Sequence, residues 1–199
     1  MSDSLILASS SAARRSLLER ARVPFQVVAP NVDEAIIKAD CEAQRLSPIE
    51  TAMFLARAKA DDVGKNHPDA LVLGADQILT CENVWFDKPV GVEGLRVQLT
   101  RLSGRAHELV NAAAVVQGGM VVWQYQDIIT MVMRLLSDAF IEAYINEVGE
   151  MACQSVGGYQ LEGMGAQIFE RVDGDMFSIL GLPLLPLLEL FRDREILIT

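Results

Sequence analysis

The fold is best approached from one stretch near the start of the chain, Leu5-Ile6-Leu7-Ala8-Ser9-Ser10-Ser11-Ala12-Ala13-Arg14-Arg15-Ser16-Leu17-Leu18. Four apolar residues predict a buried β-strand, three serines predict a tight loop, and the residues from Arg14 onward predict the first turns of a helix. A strand that leads into a helix leaves backbone N–H groups directed at one spot, where phosphates bind readily. The stretch therefore predicts a phosphate site. The alternative is an ordinary serine-capped helix with arginines facing solvent.

Composition and charge set limits on what the chain does. Its 199 residues are 51% hydrophobic, which is enough to build one domain around a sizeable core. The net charge of −10 argues against a general binder of nucleic acid or membrane surfaces, because such proteins need a broad basic face. Two histidines and three scattered cysteines show no metal-ligand spacing and no disulfide pattern. Since neither a signal pattern nor a long apolar span occurs, we expect a cytoplasmic protein.

Two segments carry candidate charged residues before the central strand. Residues 30–34 predict a polar turn that ends in adjacent carboxylates, Asp33 and Glu34, and such a pair is usually a solvated loop. Ser47-Pro48-Ile49-Glu50 is a capping box and predicts a strong helix start. The apolar face of that helix is marked by Ile49, Met53, Ala56, Ala60 and Val63. Lys59 is predicted on the border of this face, from where it extends to solvent or reaches a nearby site.

A continuous apolar run, Ala70-Leu71-Val72-Leu73-Gly74-Ala75, predicts a central strand that is buried on both faces. Asp76 and Gln77 follow it directly. A carboxylate at the end of a buried strand is costly unless it is paired, hydrogen-bonded or bound to a cation. Because ligand sites lie at such strand ends in open α/β sheets, we interpret Asp76 as a functional residue.

The remaining elements are predicted from the same patterns of periodicity, caps and turns. In chain order they are a hairpin over 78–86, a helix that ends at Ser103-Gly104, long strands over 106–117 and 120–133 joined at Gly118-Gly119, a helix from Ser137 to Val148, a glycine-dense stretch over 157–165, a strand over 166–172, and a final helix from Leu180 to about Arg192.

Eight short motifs occur in one order over nearly the whole chain. They are Leu7-Ala8-Ser9-Ser10-Ser11 with Arg14-Arg15 and Leu17-Leu18, Val32-Asp33-Glu34, Ala56-Arg57-Ala58-Lys59-Ala60, Gly74-Ala75-Asp76-Gln77, Lys88-Pro89, Leu102-Ser103-Gly104-Arg105-Ala106-His107, Ser155-Val156-Gly157-Gly158-Tyr159 with Glu162-Gly163, and Leu180-Gly181-Leu182-Pro183. Together they resemble the Maf family of nucleotide pyrophosphatases. The chain departs from the family pattern where Ala12 or Ala13 replaces a common proline and Asn111 a frequent threonine.

The resemblance implies one domain over residues 1–199 that hydrolyses nucleoside triphosphates to the monophosphate and pyrophosphate with a divalent cation, Mg²⁺ or Mn²⁺. It implies a mixed, twisted α/β fold of two lobes around a deep cleft, similar to that of inosine triphosphatases and often dimeric. By position, Asp76 would be the proton acceptor, and Glu34 would assist it near the metal. Phosphates would be held by Ser9, Arg14, Arg15, Lys59 and Lys88.

The residue types suit that chemistry. Attack of water on the α-phosphorus needs a base, a cation that spreads phosphoryl charge, and positive side chains on the leaving pyrophosphate. Asp76 is suited to orient or deprotonate the water or to ligate the metal, and the sequence does not separate these roles. Because Arg14 and Arg15 lie about 100° apart on a helix, we expect only one of them to face the phosphates.

Two further residues, Gln77 and Glu162, resemble the branch of the family that hydrolyses 7-methyl-GTP more than the dTTP/UTP branch. A carboxylate such as Glu162 accepts two hydrogen bonds from the N1–H and N2–H₂ donors of guanine, whereas thymine and uracil offer one donor there. Ala13 stands where that branch tends to have an aromatic residue, so we expect relaxed discrimination. The expected substrates are guanine-type nucleotides, modified ones included. The alternative for Glu162 is a solvated loop carboxylate.

Two other functions compete with hydrolysis. Families of this kind are also associated with cell-division arrest, so a non-catalytic nucleotide-binding regulator of cell division is the main alternative. Such a protein would keep the phosphate-binding loop but could lack Asp76 or the lysines, and this sequence has all of them. A structural module that uses its acidic surface would give no reason for basic residues to gather at the motif positions.

Overall fold

The computed structural model describes residues 4–198, which form seven β-strands and seven α-helices. The strands are β1 (Leu5–Ala8), β2 (Gln26–Val27), β3 (Leu71–Cys81), β4 (Val84–Phe86), β5 (Ala106–Gln117), β6 (Met120–Met133) and β7 (Phe169–Asp173). The helices are α1 (Ala12–Arg20), α2 (Glu34–Ala43), α3 (Pro48–Gly64), α4 (Gly91–Leu102), α5 (Asp138–Val148), α6 (Met176–Ile179) and α7 (Leu184–Asp193). None of the helices in this part of the chain is both long and apolar enough to cross a membrane.

The chain divides into two compact units, and β3, β5 and β6 each contribute to both. Within residues 4–198, the first unit contains the residues up to Gln77, Val110–Asp127 and the residues from Asp175 onward. Its strands lie in the order β2-β1-β3-β5-β6, and β1 pairs in parallel with both β2 and β3. Leu71, Leu73 and Ala75 of β3 face a core shared with α1 and α7, whereas Val72 faces a second core shared with α3. The alternation of side chains along a strand therefore gives β3 two buried faces, as predicted.

One glycine sets how closely α3 packs on β3. A Cβ atom at Gly74 would lie 2.1 Å from the carbonyl oxygen of Ala56 and 2.8 Å from the amide nitrogen of Ala60. The backbone of α3 therefore lies directly on β3, at a distance that only glycine allows. Because Asp76 follows Gly74 by two residues, its side chain leaves the same face of β3, toward α3.

The second unit contains Ile78–Leu109 and Ile128–Gly174. Within it, the second half of β3 pairs antiparallel with β4, and β6 pairs antiparallel with β7. Glu82 and Asn83 form the two-residue turn between β3 and β4, both with positive φ. Parallel and antiparallel pairs thus occur together, and this confirms the predicted mixed α/β fold.

Several local predictions are confirmed in detail. Ser47 and Glu50 form both hydrogen bonds of the capping box that begins α3. Strands β5 and β6 have the predicted bounds, and Gly118 and Gly119 between them both have positive φ. Ser137 caps α5, which ends at Val148 before Gly149. Caps and glycine turns are fixed by local chemistry, and they are therefore predictable from sequence.

Other predictions are wrong at specific residues. Asp76 does not end a strand, because β3 continues to Cys81 and also forms the first strand of the predicted hairpin. Asp33 and Glu34 do not form a solvated turn. Instead, the Asp33 side chain accepts hydrogen bonds from the amides of Ala35 and Ile36, and it begins a helix that the sequence analysis missed.

Three further boundaries differ from the prediction. Helix α1 begins at Ala12, two residues before Arg14, because Ser11 is its N-cap. Lys59 is not on the border of the α3 face but inside it, with 5% of its surface exposed. Residues 164–168 form a 3₁₀ turn, so the last strand begins at Phe169 rather than at residue 166.

Candidate active site

The first unit buries an ammonium group between two carboxylates. Lys59 Nζ lies 2.7 Å from Oδ1 of Asp76 and 2.9 Å from Oε1 of Glu34. The Lys59 and Asp76 side chains are almost fully buried, whereas that of Glu34 is 49% exposed. Helix α3 supplies the lysine, β3 supplies Asp76, and the first turn of α2 supplies Glu34. The structure therefore brings together three of the residues predicted for the site and leaves Glu34 as its exposed member.

Electrostatics favour the charged form of Glu34. Burial alone would raise the pKa of this carboxyl group. The charge and hydrogen bond of Lys59, together with the charges of Lys38 and Arg14, outweigh burial, and the pKa lies below its ordinary value. Glu34 is thus an ionised carboxylate at neutral pH.

The two neighbouring arginines have different surroundings, as the helical spacing predicts. The Arg14 guanidinium is buried, and it donates from Nε to the carbonyl oxygen of Gly181 at 2.9 Å and from Nη1 to that of Ala75 at 2.8 Å. Burial lowers the pKa of Arg14, and the charges of Asp76 and Glu34 oppose this effect. Arg15 is exposed and pairs with Glu19 on the same helix.

The absence of a side chain at Gly181 leaves room for the guanidinium group of Arg14. Its φ of +103° suits glycine, and a Cβ atom there would lie 3.2 Å from Nε of Arg14. Arg14 therefore ties the carbonyl just before Asp76 to the loop before α7. This tie is a role that the sequence analysis did not find.

The serine loop has the geometry of a helix cap. Ser11 accepts a hydrogen bond from the Arg14 amide at 3.4 Å, and Ser9 Oγ accepts one from the Ser11 amide at 3.1 Å. Ser9 is buried, and Ala13 is exposed on the first turn of α1. The capped-helix interpretation of Ser11 is therefore correct, and the binding of phosphate at Ser9 and the α1 N-terminus stays a prediction.

Gln77 lies on the opposite face of β3 from Asp76. Its Nε2 donates to Oδ1 of Asn111 at 2.8 Å, and the carbonyl oxygens of Ser178 and Ile179 lie at 3.1 and 3.3 Å. Asn111 and Ser178 are buried, and sequence reasoning assigned neither to the site. The available signal was one amide, Asn111, within the apolar run of β5.

Two predicted site residues belong to the second unit. Lys88 is exposed between β4 and α4, and Glu162 is exposed in the glycine-dense stretch. The binding of phosphate by Lys88 and the binding of the base by Glu162 stay predictions.

Comparison with known proteins identifies the family of this chain. The family model described as Maf-like protein matches residues 4–194. The chain belongs to the Maf family. Among its curated Maf relatives, the nucleoside triphosphate pyrophosphatase of Granulibacter bethesdensis is 44% identical over 97% of this chain and 98% of its own length. The 7-methyl-GTP pyrophosphatase of Mesorhizobium japonicum is 44% identical over 96% of each chain, and that of Rhizobium meliloti is 45% identical over 95% of each.

Asp76 and Glu34 fit a divalent cation only if they have oxygen atoms left to bind it. Lys59 binds one oxygen each of Asp76 and Glu34, so each carboxylate keeps its second oxygen. Residues 4–198 contain no cluster of three or more histidine, cysteine or carboxylate side chains that could hold a metal ion. Two carboxylates completed by phosphate and water oxygens are a common Mg²⁺ environment, and the donor set therefore fits Mg²⁺ or Mn²⁺.

Proposed function

We propose that this Maf protein hydrolyses nucleoside triphosphates to nucleoside monophosphates and pyrophosphate. The observation that carries the proposal is the buried Lys59–Asp76 pair, with Glu34 at its exposed side. A buried ion pair contributes little to stability compared with an apolar pair of the same size, so its presence favours a chemical role. The same reaction is supported by relatives that are named pyrophosphatases and that align with this chain over nearly their whole length.

In the proposed mechanism Asp76 accepts the proton of the attacking water. Its Oδ1 is held by Lys59, while Oδ2 forms no hydrogen bond with any residue from 4 to 198 and is left for the water. Lys59 keeps the Asp76 carboxylate in one orientation. A carboxylate fixed in one orientation suits general-base catalysis, which contributes about 10²- to 10⁴-fold to a rate.

The positive side chains have separate roles in this proposal. The Arg14 guanidinium has five N–H donors and uses two of them on backbone carbonyls, so the others are left for a phosphate oxygen. Ser9 and the first turn of α1 would add neutral donors to the phosphates. Arg15, which is exposed and paired with Glu19, has the smaller role.

Asp76 and Glu34 are the residues that would hold the divalent cation. Bound there, a divalent cation would supply neutralisation of the negative charge on the phosphoryl oxygens. In this proposal Asp76 both accepts the proton of the water and balances the charge of the cation.

The substrate class includes modified nucleotides. Several relatives at 43–45% identity are named 7-methyl-GTP pyrophosphatase, and others carry the general name nucleoside triphosphate pyrophosphatase. Together with the guanine-donor argument for Glu162, these names support 7-methyl-GTP and GTP as the first substrates to test.

The test is a pyrophosphate-release assay of the purified protein with 7-methyl-GTP, GTP, dTTP and UTP, each with Mg²⁺ and with Mn²⁺. We expect stoichiometric monophosphate and pyrophosphate, with 7-methyl-GTP or GTP preferred. Release of orthophosphate instead of pyrophosphate would contradict the proposed bond cleavage. Tight nucleotide binding without turnover would favour the non-catalytic regulator.

A further inference from the structure

Lys59 places a positive charge between the two carboxylates that are proposed to hold the divalent cation. Its Nζ contacts one oxygen of Asp76 at 2.7 Å and one of Glu34 at 2.9 Å. Only 6% of the Lys59 side chain is exposed, so water solvates its charge poorly and the two carboxylates must stabilise it. The carboxylates depend on Lys59 in turn, because two negative charges on one nitrogen would repel each other without it.

Other positive side chains act on the same carboxylates. The charges of Asp76 and Glu34 favour the protonated form of Arg14, which is buried beside them. Lys38, on the same helix as Glu34, adds a further positive charge that acts on the Glu34 carboxylate. Together with Lys59, these cations leave the two carboxylates with no excess of negative charge.

The nearest acidic residues in the sequence do not offset this balance. Asp33 is engaged as the N-cap of α2. Asp61 pairs with Arg57 along α3, and Asp62 accepts a hydrogen bond from the backbone amide of Asn31. Within the described part of the chain, no third carboxylate joins the first two to form a cluster that could hold a metal ion.

The affinity of a protein site for a divalent cation depends on the number of negative ligands that it offers. Two carboxylates whose charges are already matched attract such a cation weakly. A nucleoside triphosphate brings several negative charges, and Mg²⁺ is commonly bound by one or two carboxylates together with the phosphates of a substrate. The missing negative charge is therefore one that the substrate itself can supply.

We propose that Lys59 serves as the resident cation of the Asp76–Glu34 site, so that the protein alone binds divalent cations weakly and the cation enters together with the triphosphate. The substrate is then the metal–nucleotide complex rather than the nucleotide alone. This inference rests on the proposed function, because it takes the ligand to be a nucleoside triphosphate.

The first measurement is a titration with Mn²⁺ in the absence of nucleotide, in which the electron paramagnetic resonance signal of free Mn²⁺ reports binding. The unmodified protein should bind Mn²⁺ no more tightly than about 1 mM, the range of weak protein sites. Lys59→Met removes the resident charge and should raise the affinity about tenfold or more. Adding Glu34→Gln to Lys59→Met should remove this gain, which assigns it to the proposed site.

Arg57→Met is the matched control, because it removes a positive charge from the exposed side of the same helix. Its affinity for Mn²⁺ should equal that of the unmodified protein. Tight binding of Mn²⁺ to the unmodified protein that Glu34→Gln abolishes would overturn the inference. Equal affinities of the unmodified protein and Lys59→Met would overturn it as well.

Thermal unfolding gives a second measurement, since Lys59→Met is expected to be less stable than the unmodified protein. Mn²⁺ should raise the Tm of Lys59→Met, because a cation that binds only the folded chain stabilises it. The same concentration of Mn²⁺ should leave the Tm of the unmodified protein and of Arg57→Met almost unchanged. An equal rise in all three proteins would contradict the role of Lys59.

A kinetic measurement on the unmodified protein does not depend on the folding of any variant. Enough Mg²⁺ is added to complex nearly all of the GTP, and free Mg²⁺ is then varied at a constant concentration of the Mg–GTP complex. The rate of pyrophosphate release should stay constant. A further, saturable rise with free Mg²⁺ would show that the protein binds a required cation on its own, and it would overturn the inference.

These measurements separate the inference from the proposed function. Absence of hydrolysis in the unmodified protein would contradict the proposed function, and the Mn²⁺ titrations would still decide the role of Lys59. Ordinary hydrolysis together with unchanged Mn²⁺ affinity in a folded Lys59→Met protein would overturn the role of Lys59 alone.

Discussion

Lys59 Nζ lies 2.7 Å from Asp76 Oδ1, with only 6% and 7% of the two side chains exposed. The pair is brought together by Gly74, because the absence of a Cβ atom there lets the backbone of α3 lie on β3. A buried ion pair of this kind is fragile, since removal of one member leaves the other charged in a poorly solvated place.

Lys59→Met should therefore lower the free energy of unfolding by about 3–5 kcal/mol. Adding Asp76→Asn should recover part of this loss, because the buried carboxylate is then neutral. Urea unfolding at neutral pH measures the single and the double variant. Arg57→Met on the same helix removes an exposed pair with Asp61 and should change the free energy by less than about 1 kcal/mol. Equal losses for Lys59→Met and Arg57→Met would contradict the buried-pair account.

The two arginines should differ sharply. Arg14→Ala leaves the carbonyl oxygens of Ala75 and Gly181 without their donors, and it should lower the free energy of unfolding by about 2 kcal/mol or more. It should also lower kcat/KM for the triphosphate. Arg15→Ala should have little effect on either quantity, because its pair with Glu19 is exposed. A larger effect of Arg15→Ala on turnover would assign the phosphate role to Arg15.

How far the sequence predicts this site depends on sequence separation. The Asp76 carboxylate was expected to need a partner, but its partner Lys59 stands 17 residues earlier and was placed on the border of a helix face. The pairing depends on the contact at Gly74, which no periodicity reveals. Gln77 contacts residues 34 and 101 positions away, and only the fold brings them together. Asp33 is a residue type that commonly begins a helix, but it was interpreted together with Glu34 as a pair of carboxylates in a turn, and the helix start was therefore missed.

The stability of the protein should depend on His107 under mildly acidic conditions. Its ring is 2% exposed, Nε2 lies 2.9 Å from the Tyr159 hydroxyl, and burial lowers its pKa from 6.5 to about 4. Between pH 6.5 and 4 the unfolded chain binds a proton at this residue that the folded chain does not, so stability falls as the pH decreases. The loss should reach about 3 kcal/mol, because each pKa unit corresponds to about 1.4 kcal/mol.

His107→Gln should remove that part of the pH dependence. The measurement compares the free energy of unfolding at pH 7.5 and 5 in the unmodified protein, in His107→Gln and in His67→Gln. The His67→Gln variant serves as the control, since it leaves His107 in place. An unchanged pH dependence in His107→Gln would show that this histidine is not held neutral.

Glu162→Gln should weaken the preference for guanine nucleotides. The substitution keeps the size of the side chain and removes the charge, so one of the two acceptor positions for the guanine donors is replaced by a donor. Catalytic efficiency with GTP and with its 7-methyl derivative should fall relative to that with UTP. If the ranking of the four nucleotides is unchanged, Glu162 does not read the base.

The central claim is that Asp76 is the proton acceptor for hydrolysis, and the most direct test is pyrophosphate release by Asp76→Asn. This variant keeps the shape of the side chain and removes the base, so kcat should fall by about 10² or more. Asp69→Asn, an exposed carboxylate just before β3, is the matched control and should retain full activity. Circular dichroism and Tm establish that both variants are folded. Near-normal turnover by a folded Asp76→Asn protein would contradict the account.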